Sequence, residues 1–199
     1  MPYSSEHKSQ SRNRILASAV DLFCRYGFDQ VSIGEVMKHA KMTHGAFYTH
    51  FKSKSLLYAQ AIQHAAKHSL WNKEKPSVLT LTALKQLISA YLSLPHVTQK
   101  QASCPLAFLA TDVAHRDEVV RNSYAKVFQN LAQSIAVELK NWGVKNAESL
   151  SQQILTSMIG TVSIARSLGD ETSQQLLLDN AKNNLFSLLS GLSNKPVDG

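Results

Sequence analysis

Cysteine is scarce in this chain and badly placed for cross-linking. Two residues, Cys24 and Cys104, stand far apart in 199 residues with no CxxC pair. That gives neither a disulfide framework nor a zinc-ligand spacing. Long apolar runs are missing as well. No stretch approaches the roughly 18 consecutive apolar residues of a membrane helix. The polar start, residues 1–14, lacks the apolar run of a secretory signal. A cytoplasmic location is therefore expected, with reduced thiols and no membrane partner. Glycine and proline are few, eight and five, and fall mostly at segment ends. No strand-like alternation persists, and there is no repeat or low-complexity tract. Catalytic patterns are lacking too: no Ser-His-Asp arrangement, glycine-rich phosphate loop, paired carboxylates at helical spacing or clustered metal ligands. The chain is read as not an enzyme, with no cofactor and no metal. His64 and His68 stand four apart, a spacing that can bind a metal, but a third ligand such as His115 cannot be placed, and solvated histidines explain the pair.

Positive charge is what the chain does have. The formal balance is +7. Residues 1–54 hold eight Lys/Arg against four Asp/Glu and four of the eight histidines. An anionic partner such as nucleic acid suits that concentration; a solvated basic face would look the same on charge alone.

Helical periodicity runs throughout and predicts an all-α chain of about nine helices. The first spans residues 7–26, with Ile15, Ala19, Leu22, Phe23 and Tyr26 inward and Gly27 at its C-cap. Ser32-Ile-Gly-Glu35 fits a capping box opening a short second helix. Thr43 is placed to cap a third, to about residue 50, and a fourth covers about 53–71. After a break at Pro76, a fifth covers about 78–94, stopped by Pro95. Ser103-Cys-Pro opens a short sixth, with Pro105 in its first turn. A seventh, about 117–142, carries Val120, Tyr124, Val127, Phe128, Leu131, Ile135, Leu139 and Trp142. The last two cover about 147–168 and the segment after a second capping-box candidate, Thr172–Gln175. The final helix has an apolar band wide enough to serve its own core and a second subunit.

Residues 32–51, SIGEVMKHAKMTHGAFYTHF, have the plan of a helix-turn-helix: two short helices joined by a tight turn at residues 40–42. The second helix is too short and polar to exist for packing alone. Thr43, His44, Tyr48, Thr49 and His50 can reach phosphates or base edges, and Lys52 and Lys54 follow, placed to clamp a backbone.

Arg14-Ile15, Leu22-Phe23, Gly27-Phe28, Ser32, Val36 and Gly45-Ala46-Phe47-Tyr48-x-His50-Phe51-Lys52-x-Lys54-x-Leu56 resemble the N-terminal domain of TetR-family transcriptional regulators over about residues 12–60. The resemblance implies a DNA-binding domain at 1–54 and a helical ligand-binding and dimerisation domain at 55–199. By position, it implies that Tyr48 and Lys54 touch phosphate, supported by Ser32. Thr43, His44, Gly45 and Thr49 would lie against bases. Phe47 and Phe51 would pack inward with Phe23, Phe28 and Ile33. Two positions depart from the family pattern. Lys41 stands where glycine suits a left-handed turn, which costs about 1 kcal/mol if the geometry is kept. Met37 stands where a small residue is usual.

The segment Ser103–Leu106 through Asp112-Val113 and Val120-Arg121 is similar to the NemR-like subgroup of that family, which includes an electrophile sensor. Cys104 is the candidate sensor, since a helix start favours the thiolate; an ordinary cysteine is the plain alternative. Cys24 reads as an apolar filler. Trp71, Tyr91, Phe108, Tyr124, Phe128 and Met158 are the candidates for a ligand pocket. The expected function is a homodimeric repressor on a palindromic double-stranded operator, joined through its last two helices and released by a small-molecule or electrophile inducer. The alternative is a helical small-molecule-binding protein that no longer uses its N-terminal domain on DNA.

Overall fold

The computed structural model describes residues 5–69, 71–72, 79–99 and 104–192. Among them are eleven helical segments and no strand. Helix α1 (Ser5–Gln30) is kinked at Gly27, whose φ of 76° lies outside the helical range. The glycine therefore does not end the helix; the chain bends and makes one further turn. Helix α2 (Ile33–His39) opens with the expected capping box: Glu35 N–H donates to Ser32 Oγ at 3.1 Å, and Ser32 N–H to Glu35 Oε2 at 2.7 Å. His44–Thr49 follows as a 3₁₀ segment rather than an α-helix. Thr43 holds the N-cap position but makes no side-chain capping bond. Helix α3 (Lys54–Lys67) is capped by Ser53, whose Oγ accepts from Leu56 N–H at 3.1 Å.

Helix α4 (Leu81–Tyr91) is capped by Thr80. Pro95 does not simply stop it. It sits in the first turn of a new one-turn helix, α5 (Leu94–Val97), where a missing N–H costs nothing. Two more one-turn helices follow, α6 (Pro105–Phe108) and α7 (Ala110–Val113), the second of which sequence periodicity does not predict. Helices α8 (Glu118–Asn141), α9 (Ala147–Ala165) and α10 (Glu171–Leu189) complete the order. The cap of α10 is Asp170, whose carboxylate accepts from Ser173 N–H at 2.8 Å. This corrects the expected box at 172–175: aspartate two residues earlier is an equally good N-cap acceptor. The expected break at Pro76, the start at Val78 and Ser103 lie outside the described residues.

Two compact units emerge, Met1–Lys67 with Ser103–Val127, and His68–Ala102 with Phe128–Gly199. The first unit is centred on Ile15, Phe23, Val36, Met37, Phe47, Leu57 and Tyr58, all within 1% of full burial. Met37 is accommodated inside this core despite its size. Ile33 and Phe28 are half-buried at its edge. Tyr26 corrects the expected inward face: it is 60% exposed and lines an open groove of about 640 Å³ with Leu22, Gln30, Val31, Glu35, Lys38 and His39. In the second unit α9 and α10 pack on each other, and α10 also packs on α4 and α5. Only Leu178, Leu185 and Leu189 of α10 are buried, so most of its apolar band lies outside this core.

Candidate nucleic-acid interface

The turn between α2 and the 3₁₀ segment is built on Lys41, which holds φ at 55°. Lys41 N–H donates to Lys38 C=O at 3.0 Å and Met42 N–H to Met37 C=O at 2.9 Å. These are the two bonds of a Schellman turn, which needs a left-handed residue at that point. The turn geometry is thus kept with lysine in place of glycine, and the strain is stored in one residue.

Beyond the turn, alternate residues face opposite ways. Phe47 is fully buried and stacks on Phe51 at 5.7 Å. Tyr48, its neighbour, is 63% exposed and meets His44 edge-on at 6.1 Å. Thr43, His44, Gly45, Thr49 and Lys52 are exposed. Thr49 Oγ1 donates to Ala46 C=O at 2.7 Å, which orients the hydroxyl while leaving its lone pairs outward. A Cβ on Gly45 would meet no atom within 4 Å. Nothing in the fold demands glycine there. Exposed polar side chains are therefore presented from an apolar floor of Phe47 and Phe51.

Ser32 is exposed, but its Oγ already accepts the Glu35 N–H; in the reciprocal bond, Ser32 N–H donates to the Glu35 carboxylate and holds it below its usual range. His50 is half-buried with Nδ1 enclosed and unpartnered. Burial lowers its pKa, with the Arg12 and Lys8 charges acting the same way. Of the nine expected residues, only it and Lys54 are not exposed. Lys54 opens α3 with its ammonium 4.2 Å from the centre of the Phe28 ring, and burial lowers its pKa.

Several supporting residues escaped the sequence reading. Arg12 donates to His50 C=O at 2.8 Å, bonds the Gln60 side chain and lies 4.4 Å over the Phe51 ring. It pins the end of the 3₁₀ segment to α1 and α3. Asp112 and Arg116, distant in sequence, meet Phe28 and Asp29 after the kink. Asp112 stood in the sequence only as part of the segment that resembles the NemR-like subgroup, and neither Arg12 nor Arg116 was singled out.

Cys104 occupies the N-cap of α6, just before its first turn, and is 7% exposed. Tyr124 O–H donates to Leu106 C=O at 2.6 Å within the same unit. Burial, assisted by Cys104, pushes the Tyr124 hydroxyl up to about 12. Cys24 lines a narrow slot with Phe23, Tyr58, Ile62 and Leu109, an apolar filler's place. The six expected pocket residues divide between the units. Phe108 and Tyr124 belong to the first; Trp71, Tyr91, Phe128 and Met158 belong to the second. Neither the groove nor the slot includes any of them. Among the described residues, no three His, Cys, Asp or Glu side chains gather at metal-binding range, and no helix is long and apolar enough to cross a membrane.

Residues 15–61 match the family described as bacterial regulatory proteins, tetR family. Residues 80–179 match that described as transcriptional regulator LmrA/YxaF-like, C-terminal domain. Over 57 residues the chain is 39% identical to the HTH-type transcriptional regulator AcrR of Shigella flexneri, covering 29% of this chain and 26% of that protein. Over 66 residues it is 30% identical to the HTH-type transcriptional regulator QacR of Staphylococcus aureus, covering 32% and 35%. These matches span about a quarter to a third of the curated relatives. In fold, the chain resembles the reduced form of Escherichia coli NemR, with a TM-score of 0.73 at 19% identity over 94% of this chain and 100% of that one. It also resembles a TetR-family regulator from Cytophaga hutchinsonii, with a TM-score of 0.75 at 15% identity over 94% and 96%.

Proposed function

Because the chain belongs to the TetR family of bacterial regulatory proteins, we propose that it works as a ligand-responsive transcriptional repressor on double-stranded DNA. The carrying observation is the 3₁₀ segment: Tyr48 exposed beside a fully buried Phe47. Such a segment spends its apolar residues on anchorage and its polar ones on solvent, which suits recognition rather than packing. Residues 1–54 form the DNA-binding domain in this reading and 55–199 the ligand-binding and dimerisation domain. Tyr48, Lys52 and Lys54 contact phosphate, Ser32 supports α2 beside them, and Thr43, His44, Gly45 and Thr49 face bases in the major groove. His50 serves at the edge of the same surface. A repressor of this kind acts on chromosomal DNA, and so in the cytoplasm.

The active form is a homodimer joined through α9 and α10, on a palindromic operator whose half-sites lie about one helical turn apart. Ile164, Leu176 and Leu188 support this reading: each is large, apolar and at least 40% exposed, and exposed apolar side chains grouped on one helix pair mark association sites. The inducer is a small molecule or an electrophile, held or sensed in the C-terminal domain, and it weakens DNA binding reciprocally. Cys104 remains the candidate sensor. Its burial means that reaction requires the α6 segment to open, since a reactive thiol needs access.

The test is binding to the promoter region flanking the protein's own gene. Tyr48→Phe and Lys54→Ala should weaken binding to all sequences about equally, while His44→Ala should alter sequence preference. Equal loss for all three with unchanged preference would remove His44 from base reading. An electrophile that releases wild type but not Cys104→Ser supports the thiol as sensor; release of neither points to a non-covalent ligand. Failure to bind any DNA at low salt would favour a small-molecule-binding protein that does not use its N-terminal domain on DNA.

A further inference from the structure

Two cations share one aromatic ring in the first unit. Lys54 Nζ lies 4.2 Å from the Phe28 ring centre, and Arg116 Cζ lies 4.7 Å from it. Like charges so placed repel, and the arrangement survives because Arg116 is neutralised. Its Nη1 and Nη2 donate to Asp29 Oδ1 and Oδ2 at 2.8 and 2.7 Å, and Nη2 also donates to Asp112 Oδ1 at 3.0 Å. A bidentate pair of this kind fixes the plane of the guanidinium, which leaves the ring to carry Lys54.

The position of the ring is set elsewhere. Asp112 Oδ1 accepts the Phe28 backbone N–H at 3.2 Å, across 84 residues of sequence, and Asp112 Oδ2 accepts the Tyr58 hydroxyl at 2.6 Å. Tyr58 stands four residues after Lys54 on α3, hence on the same face, and its ring meets Phe28 at 5.2 Å. The kink at Gly27 is what turns the Phe28 N–H toward the carboxylate. A Cβ on Gly27 would approach Asp112 Oδ1 to 3.3 Å at a φ that side chains rarely adopt. One carboxylate therefore ties down both supports of the Lys54 side chain, the ring beneath its ammonium and the next turn of its helix.

We propose that Asp112 is a positioning residue for DNA binding, which fixes Phe28 and Tyr58 so that the Lys54 ammonium is held on the Phe28 ring, ready for a phosphate. This rests on the reading of Lys54 as a phosphate contact. Pre-organisation of this sort removes ordering entropy that a free lysine side chain would lose on binding. It also accounts for a carboxylate so near a DNA-facing cation: Asp112 spends its charge on Arg116, the Phe28 N–H and the Tyr58 hydroxyl.

The experiment measures affinity for a mixed-sequence duplex over a range of salt concentrations, with the full-length chain as wild type, Lys54→Ala, Asp112→Asn, Phe28→Leu and the Lys54→Ala/Asp112→Asn double variant. Lys54→Ala should reduce the slope of log affinity against log salt by about 0.9, the value of one phosphate contact. Asp112→Asn and Phe28→Leu should each reproduce most of that slope change, with a loss of roughly tenfold in affinity at low salt. In the Lys54→Ala background, Asp112→Asn should then cost nothing more. A wild-type slope for Asp112→Asn and Phe28→Leu, with Lys54→Ala reduced, overturns the positioning role and leaves a structural latch. A wild-type slope for Lys54→Ala overturns the reading of Lys54 itself. Should Asp112→Asn fail to fold by circular dichroism, Phe28→Leu decides alone, since it keeps the backbone bond to Asp112 and removes only the ring.

Discussion

The two compact units spend their residues differently. The first is tied by specific polar bonds: Arg12 on His50, Asp112 on Phe28 and Tyr58, Arg116 on Asp29. Its exposed large side chains include an aromatic with a polar tip, Tyr48. The second is built of long helices packed through leucine, isoleucine and valine, and it exposes Ile164, Leu176 and Leu188. In the function proposed above, the first unit works through polar groups on an apolar floor, so a polar residue in a short helix is already a signal. The second would use apolar surface for core, pocket and subunit contact alike, and residue type alone does not separate them.

The sharpest way to break that contrast is to remove the floor of the first unit. Phe47→Ala should cost about 3–5 kcal/mol and abolish DNA binding through unfolding, read by thermal melting beside a gel shift. A variant that melts normally yet fails to bind would mean that Phe47 acts on DNA rather than as the floor. The second unit gives the opposite expectation. Leu176→Glu with Leu188→Glu, at surface positions, should leave the helical signal of the chain intact while converting dimer to monomer in sedimentation. Operator affinity should fall by more than tenfold with it, since both half-sites are then no longer joined. A persistent dimer would place the interface elsewhere.

Smaller effects sharpen the comparison. Lys41→Gly should raise stability by about 1 kcal/mol, because it relieves the left-handed residue at φ 55° without touching the floor. Destabilisation would mean that the lysine side chain contributes more than its backbone costs. His96 supplies a pH test in the second unit. Burial lowers its pKa, against a raising contribution from the Tyr91 carbonyl, which its Nδ1 meets at 2.7 Å. The unfolded chain then binds a proton at higher pH than the folded one. Stability from this site is full above the unfolded value of about 6.5 and is lost as pH falls through the lower folded value. Melting between pH 7.5 and 5.5 should therefore fall less for His96→Asn than for wild type; parallel curves would remove His96 as the cause.

Much of the fold was legible because helical periodicity and caps are local. Ser32 and Glu35 close the box their spacing foretold, and Val120, Val127, Ile135 and Leu139 are buried as their period demands. Lys41 was legible as a strained turn only through the family resemblance, which puts glycine at that position; the structure supplies the reason, a Schellman turn with Lys41 at φ 55°. The failures have local causes as well. Asp170 competes with Thr172 as a cap, and Pro95 starts a turn as readily as it ends one. Arg12, Asp112 and Arg116 were illegible for a different reason: apart from the Asp112–Arg116 pair itself, their partners are 38 to 87 residues away, and no period connects them. The expected pocket residues fared similarly. Their aromatic character was readable, but which of them share a space depends on tertiary packing.

The central claim is that the first unit binds DNA through the face carrying Tyr48 and Lys54. Its most direct test is the affinity of purified protein for the promoter region of its own gene, measured against a mixed-sequence duplex from low to moderate salt. Tighter binding to the promoter, with affinity falling steeply as salt rises, is the expected result. No binding to either duplex at low salt, or binding that ignores salt, would contradict it.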